Sequence, residues 1–327
     1  MLQQVVEPET AGDPMSDQKW VRSSLRQVGA QLGEVGHPIS PPTVRRLLDD
    51  LGYALHVNAK KLDARASHPE RNAQFEPIAR QRQVFAAAGL PIISVDTKKK
   101  ELIGNFKNAG QSWRQEAEAV NVHDFPQDAL GRAVPYGIYD VLHNRGTVYV
   151  GSGADTPDFA VAAIARWWET EGRARFAHAQ ELLILADAGG SNGCRPRLWK
   201  QQVQEQLSDR LGLSVTVCHY PTGCSKWNPI EHRLFSHISL NWAGKPLRSW
   251  DIVLGYIRGT TTTTGLEVRA ELHAGDYVTG RRVTDAAMQS LNLEPHTICP
   301  RWSYTIRPRS SDGVTTCSYP SDQEVVV

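Results

Sequence analysis

Two strand-like segments, 137–142 and 147–150, are separated by nothing longer than the turn residues Asn144-Arg145-Gly146. No helix fits between them, so they pair as an antiparallel hairpin. That disfavours a doubly wound sheet, which places helices between its first strands. Upstream, the apolar run 92–96 reads as another short strand, followed by a polar, loop-like insertion from Lys98 to Phe125 with a hairpin expected around Asn108-Ala109-Gly110. Downstream, helices and strands alternate: helix 159–168 with Asp158 near its cap, strand 182–186, helix 197–211 ending at Gly212, strand 213–218 and helix 229–239. The order β-β-β-α-β-α-β-α predicts an α/β protein with a ribonuclease H-like mixed sheet and flanking helices.

Three acids fall at informative places in this order. Asp96 in SVDTKKKE and Asp187 in LLILADAGGSN close apolar strands, and Glu231 in KWNPIEHRLF lies one turn into a helix. Each alone has an ordinary explanation: a strand-ending Asp forms turns, and a Glu in a first helical turn complements the helix dipole. Together they make the carboxylate set of a phosphoryl-transfer site. In-line transfer between phosphodiesters needs charge relief on the attacking and the leaving oxygen, which two Mg²⁺ ions ~4 Å apart supply. Hard cations take carboxylate oxygens. Asp96, Asp187 and Glu231 are therefore the candidate catalytic residues and Mg²⁺ ligands, with Mn²⁺ as a substitute ion and Asp96 as the bridging acid.

Gly189 and Gly190 leave space beside Asp187 for the backbone of a bound strand, and Lys98, Lys99 and Lys100 either meet phosphates or are solvated loop lysines. Trp227, Asn228 and His232 flank Glu231 and are read as shaping its surroundings, with an ordinary helix position the alternative for His232. Asp140 in IYDV is either a fourth acid of the site or a structural strand aspartate; His219 is either a phosphate-side group or a core or surface histidine.

Residues 1–18 are polar and read as a disordered lead. From Lys19 a helical pattern places Leu25, Val28 and Leu32 on one face, ended by Gly33, Gly36 and Pro38. Ser40 then caps a second helix, with Pro41 and Pro42 in its first turn and Val44, Leu47, Leu48 and Leu51 inward. Two amphipathic helices around a Gly-containing turn suggest a helix-turn-helix-like unit. Thr43, Arg45 and Arg46 would face outward and read DNA, or the pair would merely pack. A basic connector with Lys60, Lys61, Arg65 and Arg71 and a helix near 70–88 complete a region spanning 19–90. The catalytic domain is expected over 91–250. A C-terminal extension over 251–309 has helices at 250–260 and 285–292 and a final strand near 301–308. The segment 310–327 lacks Lys and Arg and reads as a disordered tail.

A net charge of +1 does not by itself announce a nucleic-acid binder, yet residues 195–309 carry 15 Lys and Arg against 9 Asp and Glu, enough for a local basic face. No apolar run approaches the ~20 residues of a membrane span, and the N-terminus lacks the pattern of a signal peptide. The five cysteines form no C-x-x-C pair, which fits reduced thiols in a cytoplasm. Cys218, His219 and Cys224 lack a fourth ligand for structural zinc.

The blocks VDTKKKELIGNFKNAG, VPYGIYDV, DTPDFAVAAIARWW, LLILADAGGSNGCRPRLWK, SKWNPIEHRLFSHIS and RWSYTIRP resemble the ISAzo-type transposases of bacterial insertion sequences, within the DDE transposase class. The resemblance covers roughly residues 7–309. It implies a ribonuclease H-like core and a divalent metal. It also implies cutting and joining of double-stranded DNA at element ends and target sites, and an N-terminal helix-turn-helix. Asp96, Asp187 and Glu231 match the family's acidic triad by position. Joining two ends calls for a homo-oligomer on DNA, with no membrane partner and a cytoplasmic, nucleoid-associated location. The resemblance also implies further helical sequence ahead of residue 1, and the 310–327 segment departs from the family. The alternatives are a truncated, catalytically impaired copy that only binds DNA and a ribonuclease H-like nuclease acting on RNA–DNA hybrids.

Overall fold

The computed structural model describes residues 2–6, 10–12, 19–21, 23–53, 72–113 and 115–309. The connector residues Lys60, Lys61, Arg65 and Arg71 and the 310–327 tail lie outside the described residues. The chain divides into two compact units, Met1–Arg65 and Ala66–Val327.

The first unit holds α1 (Leu2–Val6), the antiparallel pair β1 (Thr10–Gly12) and β2 (Lys19–Val21), α2 (Leu25–Glu34) and α3 (Pro41–Asp50). The lead expected to be disordered thus contains α1 and β1, and Lys19 lies in a strand rather than a helix. Helix α2 begins at a reciprocal cap: Gln27 N donates to Ser24 Oγ, and Ser24 N donates to Gln27 Oε1 at 2.8 Å. Val28, Leu32 and Val44 are buried between the helices, with Ile39 and Leu48 packed beside them. Gly29 permits this closeness, since a Cβ there would stand 3.3 Å from the Ile39 carbonyl oxygen. Ser40 makes no side-chain cap; its hydroxyl lies 3.0 Å from Thr43 Oγ1 instead. Leu51, expected inward, is 43% exposed because α3 stops at Asp50 and Leu51 enters the turn closed by Gly52 at φ +81°.

The second unit is built on a nine-stranded sheet. Its strands are β3 (Ile92–Thr97), β4 (Glu101–Ile103), β5 (Gly131–Asp140), β6 (Arg145–Gly151), β7 (Glu181–Ala186), β8 (Ser214–His219), β9 (Glu267–His273), β10 (Leu293–Pro295) and β11 (Ser303–Ile306). The order across the sheet is β10-β11-β8-β7-β3-β5-β6-β9, with β4 alongside β5. The antiparallel meander β3-β5-β6, with β7 added parallel on the far side of β3 and β8 parallel to β7, is the ribonuclease H-like arrangement anticipated from element order.

Helices cover both faces. On one, α5 (Pro157–Trp167) runs through a π-helical stretch (Trp168–Gly172) into α6 (Arg173–Arg175), beside α7 (Arg197–Gln202) and its π-helical continuation Val203–Asp209. Trp167 and Trp199 are buried there with Ile93, Val95 and Tyr136. On the other face, α4 (Phe75–Ala87) packs Ile78 and Phe85 against Ile92, Leu183 and Leu185. Beside it lies a π-helical turn (Glu231–Phe235) continuing into α8 (Ser236–Asn241), followed by α9 (Trp250–Arg258). Helix α10 (Asp285–Gln289) lies near the end of the described chain. Among the described residues no helix is long and apolar enough to cross a membrane.

Several features depart from the sequence reading. Helix α4, grouped there with the N-terminal region, packs on the sheet. The sequence pattern does not predict strands β4, β9 and β10. In β9 only Ala270 is buried, because this edge strand offers one face to solvent and carries three charges in seven residues. No hairpin forms at Asn108-Ala109-Gly110: Ala109 O accepts from Gly244 N at 2.8 Å, and Gly110, at φ +96°, lies against Ala243.

Gly137 and Gly146 set how closely the Glu231 segment approaches the sheet. A Cβ on Gly137 would lie 2.5 Å from the Phe235 ring and 2.8 Å from Ile230 Cδ1, and one on Gly146 would lie 2.5 Å from Leu234 Cδ1. Gly137→Ala should therefore destabilise the protein by about 1–3 kcal/mol through overpacking. Gly189→Ala, where a Cβ meets nothing within 4 Å, should stay within about 0.5 kcal/mol of wild type. Urea unfolding of the two variants checks the contrast.

Candidate active site

Backbone register brings the first two acids together. β3 and β7 run parallel with Val95 opposite Ala186, and Asp96 and Asp187 are the next residues on each. Adjacent strands lie ~4.8 Å apart. Alternation sends both acids to one face: Val95 and Ala186 belong to the core under α5, whereas Ile92, Leu183 and Leu185 belong to the core under α4. On the other side of β3, Asp96 pairs with Gly137. The side chain absent there is what Ile230 and Phe235 occupy, and Glu231 lies between them in sequence. The third acid thus arrives on the same face as the first two.

The electrostatics are those of crowded, half-buried carboxylates. Burial, then the charge of Asp187, then those of Glu231 and Asp155 push Asp96 up to about 8, against a hydrogen bond from Thr97 N. Burial raises Asp187, opposed by a hydrogen bond from Asn228. Burial and then Asp187 raise Glu231, opposed by Lys98 and His232.

Asp155 is a fourth acid in this group that the sequence reading missed. Its Oδ1 accepts from Thr97 Oγ1 at 3.1 Å, and its Oδ2 lies 3.2 Å from Lys100 Nζ. The available signal was topological. β6 runs the same way as β3, so the loop after Gly151 returns to the edge that Thr97 occupies.

The three lysines separate. Lys98 is only 7% exposed, with Nζ 3.7 Å from Glu101 and 4.6 Å from the Trp242 ring centroid. Lys99 is exposed and pairs with Glu101, and Lys100 pairs with Asp155. Beside Asp187 the loop is open at Gly189 and Gly190, the latter at φ +77°.

Other expected residues lie elsewhere or do ordinary work. Asp140 lies three residues along β5 from Gly137, paired with Ile93 and on the opposite face of the sheet, where its carboxylate holds Arg175 at 2.7 Å and His143 at 3.0 Å. It is a structural acid outside the site. His219 is buried, its ring nitrogens 3.1 Å from Trp302 O and 3.0 Å from Asn192 O, and burial pushes it down to about 4. His232 is exposed and meets the Lys226 carbonyl. Trp227 is 59% exposed and lies edge-on to Phe75. In the first unit, Arg45 and Arg46 are exposed, Thr43 is half-buried, and Arg45 Nε lies 3.9 Å from Asp49.

The donor set around Asp96 is all carboxylate oxygen, the chemistry that hard divalent cations take. Its excess negative charge is what a cation would neutralise. Among the described residues no group of three or more His, Cys, Asp or Glu side chains is arranged as a metal site; the acids interact through charge without closing on one point.

Because the folded protein holds Asp96 protonated up to about 8 while the unfolded chain releases its proton near 3.8, the unfolded state binds fewer protons between these values. Stability without divalent ions should therefore fall as pH rises from about 4 to about 8. Asp96→Asn should relieve this by at least about 1 kcal/mol at pH 8 and do nothing at pH 4 or below. Urea unfolding of both proteins across this range in chelator checks it.

No curated protein matches the chain. Solved structures of another transposase are similar to it at low identity. The Mos1 transposase paired-end complex with left transposon end is 15% identical, covering 78% of this chain and 68% of that one, with a TM-score of 0.43. The mariner Mos1 paired end complex with Mg has the same identity and coverage at 0.45. A pre-cleavage Mos1 transpososome is 13% identical at 0.44, again over 78% and 68%. Residues 1–308 match the model of the family described as the Rhodopirellula transposase DDE domain, and the chain belongs to that family of insertion-sequence transposases.

Proposed function

We propose that this transposase-family chain cuts the DNA strands at its element's ends and joins them to target DNA, with Asp96, Asp187 and Glu231 as its catalytic carboxylates. The observation that carries this reading is the meeting of three acids from three separate segments on one sheet face. There burial raises all three, and neighbouring acids add to the rise at Asp96 and at Glu231. These acids would hold Mg²⁺, or Mn²⁺ in its place, which when bound supplies charge relief to the attacking and leaving oxygens of phosphoryl transfer.

The chain's own residues do the rest. Lys98, beside Glu231, and Lys100, beside Asp155, bring positive charge to a phosphate at the site, with Lys99 reaching outward from the same turn. The open backbone at Gly189 and Gly190 admits a strand close to Asp187. Thr43, Arg45 and Arg46 on α3 contact duplex DNA at the element ends, and two ends are joined by a homo-oligomer.

Cleavage and strand transfer of element-end DNA with Mg²⁺ or Mn²⁺ test the reading. Asp96→Asn, Asp187→Asn and Glu231→Gln should each lower the rate roughly a thousandfold or more, as expected for several kcal/mol of lost transition-state stabilisation. Equal activity in wild type and Asp187→Asn sinks it. For DNA recognition, Arg45→Ala and Arg46→Ala should each weaken end binding and reduce the salt dependence of log K by about one unit. An unchanged salt slope in the double variant removes α3 from the interface.

A further inference from the structure

Glu231's helix starts in an unusual way. Its first residues are Asn228, in extended conformation, then Pro229 and Ile230. Proline lacks an N–H, so Ile230 N is the first donor of the helix that needs a partner. A residue in the position of Asn228 commonly supplies it from its own side chain. Here the partner comes from the sheet: Ile230 N donates to Ser94 Oγ at 3.0 Å.

The Asn228 side chain is thereby released for other work. Its Nδ2 donates to Asp187 Oδ1 at 3.1 Å and to Val95 O at 3.3 Å, and its Oδ1 accepts from Ser94 Oγ at 2.5 Å. Ser94 and Asn228 are both fully buried. The directions of these bonds leave no alternative arrangement. A carboxylate and a carbonyl can only accept, so the amide must turn Nδ2 toward them and Oδ1 toward Ser94. The serine must then donate its one proton to Asn228 and keep a lone pair for Ile230 N. Two side chains thus join β3, the end of β7 and the start of the Glu231 helix in one fully assigned network.

We propose that Ser94 and Asn228 are positioning residues for the carboxylate site, locking Asp187 and the Glu231 helix onto the strand that carries Asp96 so that the acids stay on the one sheet face where a divalent cation would be held. Neither residue touches DNA or reacts; each acts through the acids it holds. This rests on the reading of Asp96, Asp187 and Glu231 as metal-binding carboxylates. Asn228→Asp is the sharpest probe: nearly isosteric, it sets a carboxylate against Asp187 and the Val95 carbonyl. Ser94→Ala removes both the acceptor for Ile230 N and the proton that orients Asn228.

The test is Mn²⁺ and Mg²⁺ binding to the full chain by titration calorimetry without DNA. It is run on wild type, Asn228→Asp, Asn228→Ala, Ser94→Ala and Asp187→Asn, with melting in chelator as a check on folding. Groups that orient metal ligands typically alter affinity 10–100-fold. The Asn228 variants and Ser94→Ala should therefore weaken metal binding about tenfold or more, and the Mg²⁺ concentration for half-maximal cleavage should rise in step. A purely packing role would lower the melting temperature and leave the metal affinity of the folded fraction unchanged. If Asp187→Asn abolishes metal binding while Asn228→Asp and Ser94→Ala bind as wild type does, the positioning role is overturned and the carboxylate reading survives. If Asp187→Asn itself binds metal normally, the carboxylate reading falls and takes this proposal with it. Should Asn228→Asp fail to fold, Ser94→Ala decides by the same criterion.

Discussion

The close approach of the Glu231 helix to the sheet is the constraint on which the site depends. Two strands give up a side chain at the contact, Gly137 under Ile230 and Phe235, and Gly146 under Leu234. Gly137 is also the residue paired with Asp96. The space that admits the helix is therefore beside the first acid, and any side chain there would push the third acid away from it. The turn Glu231–Phe235 is π-helical, and such widened turns recur at functional sites.

A second constraint is charge. The protein compensates some buried acids thoroughly: Asp140 holds Arg175 and His143, and Glu171 meets Arg175, Arg269 and the hydroxyl of Thr147. Asp96 receives no such treatment. Among the described residues, the nearby lysines pair with Glu101 and Asp155, and Asp96 has one hydrogen bond, from Thr97 N, against three other carboxylates. Both arrangements come from the same sheet, so the contrast separates acids that hold the fold from acids held in reserve by it. The latter cost stability, and such strain concentrates where chemistry is done.

Much of this was legible in the chain. The short turn at Asn144, the apolar runs ending in Asp96 and Asp187, and the helix beginning at Pro229 each carry a local signal of period or punctuation. What escaped was decided by partners distant in sequence. Strand β9 is mostly exposed and charged, and forms because the edge of β6 is available to pair. Gly110 marks a packing contact with Ala243 instead of a hairpin turn. Asp155 joins the acids because β6 returns to their edge. Asp140 does not, because strand alternation turns it to the other face of the sheet.

By itself, then, the sequence determined the order of the central strands and helices and which acids end strands or begin a helix, since hydrophobic period, turn residues and strand ends are local properties of the chain. Tertiary structure alone decided which acids share a face, how near the Glu231 helix comes, and that Ser94 and Asn228 tie it to Asp187. Those outcomes depend on sheet register, on side chains absent at Gly137 and Gly146, and on hydrogen bonds between residues 41 to 136 positions apart. No local pattern encodes such pairings; they exist only once the segments meet.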